Sequence, residues 1–446
     1  VSDANAVKEC VNHGIAEDEE DACVKAVNAG LDMDMSSETF ISHLKEAVEN
    51  GKVSMEVIDE AVMRILTVKM WLGLFEHPYV SLDAACQYDE LPKEHVELAL
   101  EAALKSIVLL KNENNLLPLK KETKISLVGE LAGSKIEIIG SWAVNWKEKD
   151  CVSILEGLKR AGGNVQYYPC CGPLGDLNQD DVHNAIKNGD VIVAVVGETS
   201  RMSGESASRA DISLPGKQRQ LLKQLVASGK PVVVVLMNGR PLALSWEKEN
   251  VTAMIEGWQL GIQMGNAIAN VLYGDYNPSG KLAVSFPKLP GQCPIYYSRF
   301  NTGRPGSEAP FTSKYQDAGW DALYPFGYGL SYTTFEYRDF EVREEEDKLI
   351  GMITVENTGK KAGTETVQLY MRDVTASIVR PIKELKGFKK VHLEPGELAK
   401  VTIELMKQDM GFYDNDGVYR LENGKFQIFM GADSVDCKVQ EINLIF

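Results

Sequence analysis

The sequence predicts an α/β plus β protein: the end of a (β/α)8 barrel, an α/β sandwich domain and a β-sandwich. Three observations carry that expectation. From Val1 to about Glu76, helical patterns enclose one short apolar stretch. Further on, the continuous apolar runs Val191–Val196 and Pro231–Met237 alternate with helical patterns, as strands buried on both faces of a mainly parallel sheet do. From about Tyr332 the hydrophobic period becomes two, with Asn-Gly and Pro-Gly turns between segments. A chain of 446 residues also exceeds what one core usually holds, so two or three domains are expected.

In the first part, residues 1–92 including a linker from Glu76 to Pro92, a helix is expected over Glu17 to Ala29, with Cys23, Val24 and Val27 on one face and Gly30 as its C-cap. Leu31-Asp32-Met33-Asp34-Met35 alternates apolar and acidic residues and fits a short strand. Thr39 to Glu49 is a second helix, stopped by Asn50-Gly51. A third starts at a capping Ser54, with Glu56 in its first turn, and runs through Ile58, Val62, Ile65, Leu66 and Met70. Strand, helix, strand, helix matches the closing part of a β/α barrel, which needs eight strands and roughly 250 residues in all.

The second domain, 93–287, is expected to open with a helix from about Glu94 to Leu110. Strands follow over Lys124 to Gly129, Lys135 to Gly140, Asn164 to Tyr168, Val191–Val196, Pro231–Met237 and Thr252–Ile255. The helices between and after them are Val152 to Ala161, Val182 to Lys187, Gly216 to Val226 started by Pro215, and Met264 to Leu272. Residues 288–331 are rich in Gly, Pro, Tyr and Ser without periodicity and read as an ordered connector. In 332–446, Lys348–Val355, Glu365–Asp373, Leu398–Leu405 and Lys425–Met430 are strands of a fibronectin type III-like β-sandwich.

Charge and composition exclude several classes. A net charge of -17 repels nucleic acid and anionic membrane surfaces, and no run of 18 apolar residues is present to span a bilayer. The eight Cys show no CxxC pairing and the six His no HxH or HExxH spacing, so no metal and no cofactor is expected. The adjacent Cys170-Cys171 are read as two buried free thiols rather than a strained vicinal disulfide.

Two carboxylates stand out. Asp3 lies at a β-to-α transition, where barrel enzymes place catalytic groups, although Asp there also suits an N-cap for a helix starting at Ala4. Glu205 lies in the polar loop Ser203-Gly204-Glu205-Ser206-Ala207-Ser208, which reads equally as a solvated loop or as a segment reaching into a cleft. A retaining glycosidase needs such a pair, one ionised to attack the anomeric carbon and one protonated, roughly 5–5.5 Å away, to protonate the leaving oxygen. A Glu brought near an Asp in a closed site has its pKa raised by the like charge and by desolvation, which keeps it protonated.

A series of motifs then resembles glycoside hydrolase family 3 along essentially the whole chain, most closely its bacterial periplasmic β-glucosidases. They are Val1-Ser2-Asp3, His13-Gly14, Ala29-Gly30-Leu31-Asp32-Met33-Asp34-Met35, Leu72-Gly73-Leu74-Phe75, Ile107-Val108-Leu109-Leu110-Lys111-Asn112, Met237-Asn238-Gly239-Arg240-Pro241, Gly274-Asp275-Tyr276-Asn277-Pro278-Ser279-Gly280-Lys281, Tyr324-Pro325-Phe326-Gly327-Tyr328-Gly329-Leu330-Ser331-Tyr332 and Leu385-Lys386-Gly387-Phe388. The resemblance implies Asp3 as nucleophile and Glu205 as acid/base, with Glu198 at the strand end as the rival acid. It further implies Trp142 as a wall of the leaving-group subsite, and Arg201 and Met202 as neighbours of the leaving group. Arg209 and Asp211 read as loop-fixing partners. One departure is Ala4, where many members carry Trp after the nucleophile; it puts specificity in doubt and leaves the nucleophile standing.

The implied activity is retaining, exo-acting hydrolysis of terminal β-D-glucosyl residues from an oligosaccharide or β-glycoside. The alternatives are β-xylosidase or α-L-arabinofuranosidase on the same scaffold, and a non-catalytic carbohydrate-binding or assembly fragment. An N-acetylglucosaminidase of the family fits less well, since its His–Asp acid/base loop is not found. The resemblance also implies a periplasmic or secreted location. A second polypeptide or an upstream segment is expected to supply the remaining barrel strands, and a homodimer is left open.

Overall fold

The computed structural model describes residues 1–82 and 90–446. They divide into two compact units, Val1–Leu91 and Pro92–Phe446. Residues 83–89, and with them Cys86 and part of the linker expected over 76–92, lie outside the described residues.

The first unit contains helices α1 (Ala6–Asn12), α2 (Glu19–Asn28), α3 (Thr39–Glu49) and α4 (Met55–Trp71). Asp18 caps α2 by accepting the Asp21 N–H at 2.9 Å. Small apolar clusters join the helices: Val7, Ala16 and Ala22 in one, Val27, Ala47 and Val53 in another. The strand expected over 31–35 is reduced to one parallel bridge, Ala4 to Met35, flanked by Ser2 N–H to Met33 O and Asn5 N–H to Met35 O, both 2.9 Å. Its acidic positions have other work. Asp34 accepts the Thr39 and Phe40 N–H groups at the start of α3, and Asp32 accepts Nε of Arg64 at 2.9 and 3.0 Å. Ser54 precedes α4 without a side-chain cap bond; its hydroxyl bonds the Glu56 carboxyl instead and holds it below the usual carboxylate range.

The second unit begins with α5 (Lys93–Ser106), which stops short of the expected Leu110. Ile107 turns extended, and β1 (Val108–Asn112) pairs antiparallel with a strand far downstream. The apolar run 107–110 is buried on alternating sides, Ile107 and Leu109 in one core and Val108 and Leu110 in the other. That two-sided burial favours strand over helix. The remaining elements alternate: β2 (Ile125–Val128), α6 (Ile154–Arg160), β3 (Val165–Tyr168), α7 (Gln179–Asn188), β4 (Val191–Gly197), α8 (Gln218–Ala227), β5 (Val232–Met237), α9 (Ser245–Asn250), β6 (Ala253–Glu256) and α10 (Met264–Tyr273). The sheet order is β1-β6-β5-β4-β2-β3, with every pair parallel except β1 with β6.

Side chains alternate across this sheet. Leu127, Val193, Val195, Val233 and Val235 meet α6 and α10 on one face, while Val128, Ile192, Ala194, Val196 and Val234 meet α7 and α8 on the other. The α6–α10 contact is a backbone approach: a Cβ on Gly157 would fall 2.0 Å from the Gly265 carbonyl oxygen, and one on Gly265 2.0 Å from that of Ser153. Two expectations fail here. Residues 135–140 form no strand, because the Ile139 N–H closes a turn on Ile136 O and the Ile138 carbonyl accepts the Gly261 N–H. Pro215 does not start α8, whose N-cap is Lys217. Cys170 and Cys171 are free and buried, and burial pushes their thiols up to about 12 and about 11, which leaves them protonated and unreactive at neutral pH.

Residues 288–331 carry no named strand but pack on the sheet. Phe286 bridges Tyr324, and Leu109 of β1 bridges Leu330. The sandwich then pairs β7 (Phe335–Glu344), β8 (Lys348–Asn357), β9 (Gly363–Asp373), β10 (Glu384–Leu393), β11 (Leu398–Met406), β14 (Gly424–Gly431) and β15 (Cys437–Leu444) into sheets ordered β10-β9-β14-β15 and β11-β8-β7. A short hairpin, β12 (Phe412–Tyr413) with β13 (Tyr419–Arg420), lies between β11 and β14 in sequence. Val355, Val367, Leu369, Met371, Phe426 and Ile428 fill the sandwich core.

Candidate active site

Asp3 belongs to the first unit. Its carboxylate is exposed, and among the described residues Oδ1 accepts the adjacent Ala4 N–H at 2.7 Å. Helix α1 starts at Ala6 behind its N-cap Asn5, which sits at φ 60° and makes no side-chain cap bond. Asp3 is therefore not the cap of a helix starting at Ala4. The backbone on either side is tied down, since the Ser2 and Asn5 N–H groups bond Met33 O and Met35 O and Ser2 Oγ accepts the Met35 N–H at 2.8 Å. The carboxylate thus stands at the end of a minimal parallel pairing and the entry to a helix.

Glu205 belongs to the second unit. Strand order in the sheet reverses between β2 and β4, both flanking strands being parallel to β2. At such a switch point the connections leave the carboxyl ends of neighbouring strands in opposite directions and open a crevice, where ligands of α/β sheets bind. Here the segments leaving β2 and β4 line a cleft of about 470 Å³ that contains Trp142, Trp146, Arg201, Ser203 and Glu205. Trp142 is 70% exposed. Glu205 is exposed as well, and among the described residues its carboxylate has no hydrogen bond or ion pair. Gly204 has φ +100°, and a Cβ there would fall 2.6 Å from Ser141 Oγ and 3.5 Å from Trp142 Nε1. Only glycine lets the loop lie that close to the Ser141-Trp142 segment.

Glu198 is placed differently. It is fully buried, and its carboxylate accepts from the guanidiniums of both Arg209 and Arg240, the latter from Nε to Oε2 at 3.3 Å. A carboxylate held by two guanidiniums in this way ties the segments that follow the two strands together. Arg209 also donates to Ser213 O at 3.0 Å, and the Asp211 carboxylate accepts the Ser213 N–H at 2.9 Å, so both are loop-fixing partners. Met202 is half-buried, and with Arg201 lines a neighbouring cleft beside Ser208 and Arg209. Trp142, Arg201 and Glu205 are thus brought together, Met202 stands at their edge, and Asp3 is in the other unit. No group of three or more His, Cys, Asp or Glu able to hold a metal occurs among the described residues.

Sequence reasoning gave no role to Arg240 or to Glu137, whose carboxylate accepts the Ser200 N–H at the loop's start. Arg240 lies in the Met237–Pro241 motif, which was the available signal. Nearby, Glu256 at the end of β6 is completely buried, and burial pushes it up to about 8. It accepts the Trp258 N–H at 2.8 Å and an Asn238 amide hydrogen at 3.2 Å.

Comparison with known proteins agrees with this architecture. The model of the glycosyl hydrolase family 3 N-terminal domain matches residues 1–68, that of the family 3 C-terminal domain 107–332, and that of the fibronectin type III-like domain 365–434. The chain is 41% identical, over its whole length, to the periplasmic beta-glucosidase of Salmonella typhimurium and covers 63% of that protein. It is 37% identical to a beta-xylosidase of Formosa agariphila, again over its whole length and covering 64% of the relative. The crystal structure of a beta-glucosidase from Listeria innocua in complex with isofagomine superposes with a TM-score of 0.94 at 40% identity, over 99% of this chain and 63% of that one. The chain spans somewhat under two thirds of these relatives, and it belongs to glycosyl hydrolase family 3.

Proposed function

We propose that the full-length protein is a retaining, exo-acting β-glucosidase in which Asp3 is the nucleophile and Glu205 the acid/base. The observation that carries this reading is Glu205 itself: a carboxylate without a hydrogen bond or ion pair among the described residues, on a glycine-dependent loop, in a switch-point cleft beside an exposed tryptophan. In the first step Asp3 attacks the anomeric carbon, the glycosidic C–O bond breaks, and Glu205 protonates the departing oxygen. In the second, Glu205 takes a proton from water as that water displaces Asp3 from the sugar. The names of the Salmonella and Listeria relatives support glucose as the sugar released, and the former supports a periplasmic location. No helix among the described residues is long and apolar enough to cross a membrane.

The test is to trap the intermediate. A 2-deoxy-2-fluoro-β-glucoside with a good leaving group should add one fluoroglucosyl unit to the peptide containing Asp3. A label on Glu205, or unlabelled protein that still turns the reagent over, would sink the assignment. A β-xylosidase is the second reading, favoured by the Formosa relative; comparing kcat/KM for aryl β-glucosides and aryl β-xylosides separates the two.

Trp142 is assigned to the leaving-group side of the cleft. Trp142→Ala should lower kcat/KM for a disaccharide by up to about tenfold, the worth of one aromatic contact. An aryl glucoside with a good leaving group should lose less. Equal losses on both would return Trp142 to a packing role.

A further inference from the structure

The loop that bears Glu205 is held from below by one guanidinium. Arg240 Nη2 donates to the carbonyl oxygen of Met202 and, at 2.7 Å, to that of Ala207. These two carbonyls bracket residues 203–206, so both ends of the segment carrying Glu205 hang on the same nitrogen. The other side of the guanidinium, Nε, lies 3.1 Å from the buried Glu198 carboxylate. Glu198 is fixed in turn by Arg209, which also holds Ser213 O on the far stem of the loop.

The base of this device is the sheet itself. Glu198 follows β4 and Arg240 follows β5, and these strands pair in parallel up to Gly197 and Met237. The Asn238 amide donates to Arg240 O at 2.8 Å and so fixes the turn that presents the arginine.

We propose that Arg240, seated on Glu198, is a positioning residue that sets where Glu205 stands relative to the bond it protonates; this rests on the acid/base reading of Glu205. Arginine suits the task because its planar fork reaches a carboxylate and carbonyls at once in a fixed geometry, whereas a lysine ammonium is a single point on a flexible stem. An acid displaced by about 1 Å costs on the order of 10²-fold in rate.

The experiment compares Arg240→Ala, Arg240→Lys and Glu205→Ala in the full-length enzyme on two β-glucosides, one with a poor leaving group and one with a leaving group that departs without a proton. For both Arg240 variants, kcat on the poor-leaving-group substrate should fall by about 10²-fold. The loss on the activated substrate should be much smaller, and azide should accelerate its turnover, as is expected for Glu205→Ala. Equal losses on both substrates with no azide effect would make Arg240 a merely structural residue, and wild-type turnover of the poor-leaving-group substrate would refute the proposal outright. Should Arg240→Ala fail to fold, Arg240→Lys decides, read by those rates and by amide exchange across 203–207, which should be faster than in wild type. Unchanged protection there overturns the clamp. If Glu205→Ala keeps wild-type activity, the acid/base reading is what fails, while the exchange measurement still reports on the clamp.

Discussion

Replacing Glu205 by alanine in the full-length protein should lower kcat on an unactivated β-glucoside by about 10²–10⁴-fold, the range a positioned acid/base contributes. Departure of a poor leaving group needs its proton in the transition state, so the first step stalls. With an activated leaving group that step proceeds unaided and only attack by water on the glycosyl-enzyme is slowed. Azide needs no general base and can enter the space left by the missing carboxylate, so it should restore turnover and yield a β-glucosyl azide. An α-azide would exchange the roles of the two carboxylates. Glu198→Ala should behave differently: it leaves the guanidiniums of Arg209 and Arg240 without their shared buried partner, and the expected result is loss of folded protein.

Gly157→Ala should destabilise the second unit even though alanine is the better helix former. Alanine gains about 1 kcal/mol over glycine inside a helix. Against that, its Cβ would sit 2.0 Å from the Gly265 carbonyl oxygen and 2.8 Å from the Asn266 nitrogen. The obstacle is the backbone of α10, which cannot rotate away as a side-chain tip can, so α6 and α10 must separate. Overpacking of this kind costs about 1–3 kcal/mol, which outweighs the propensity gain and opens the core beneath Ile154, Leu158 and Ile268. Calorimetry should show a lower Tm for the transition of this unit. Gly291→Ala, where a Cβ meets nothing within 4 Å, is the control and should leave Tm unchanged. A Gly157→Ala protein melting at or above wild type would show that the two helices part without cost.

The parallel sheet was legible because its strands are buried on both faces, and such strands spell themselves as unbroken apolar runs: Val191–Val196 reappears almost to the residue in β4. The first strand was not. Ile107–Leu110 follows a helical pattern without a break, and what makes it extended lies far along the chain: burial on both faces and pairing of Val108 and Leu109 with β6. In the sandwich the strands that escaped notice, β7, β10 and β15, are all at sheet edges. Edge strands carry charge that blurs the period of two, as Lys386, Lys389 and Lys390 do in β10. At the candidate site, Asp3 and Glu205 were nameable through the family resemblance, because on their own a carboxylate at a helix entry reads as well as a cap, and one on a glycine loop as well as a solvated side chain. The support beneath Glu205 was not, since Arg240 works through a carboxylate 42 residues away and through two backbone carbonyls, and a carbonyl leaves no trace in a sequence.

The bridge between Leu109 and Leu330 has a topological meaning. The α/β layer is entered at β1 and left at Leu330, so an excursion of the chain through a whole sheet begins and ends at one edge strand. The Leu330 N–H meets Leu109 O at 2.8 Å there, so a backbone hydrogen bond joins the two ends of that excursion. For the same reason the layer behaves as a cassette. Its two ends lie side by side, the arrangement that tolerates circular permutation and transfer into another host protein.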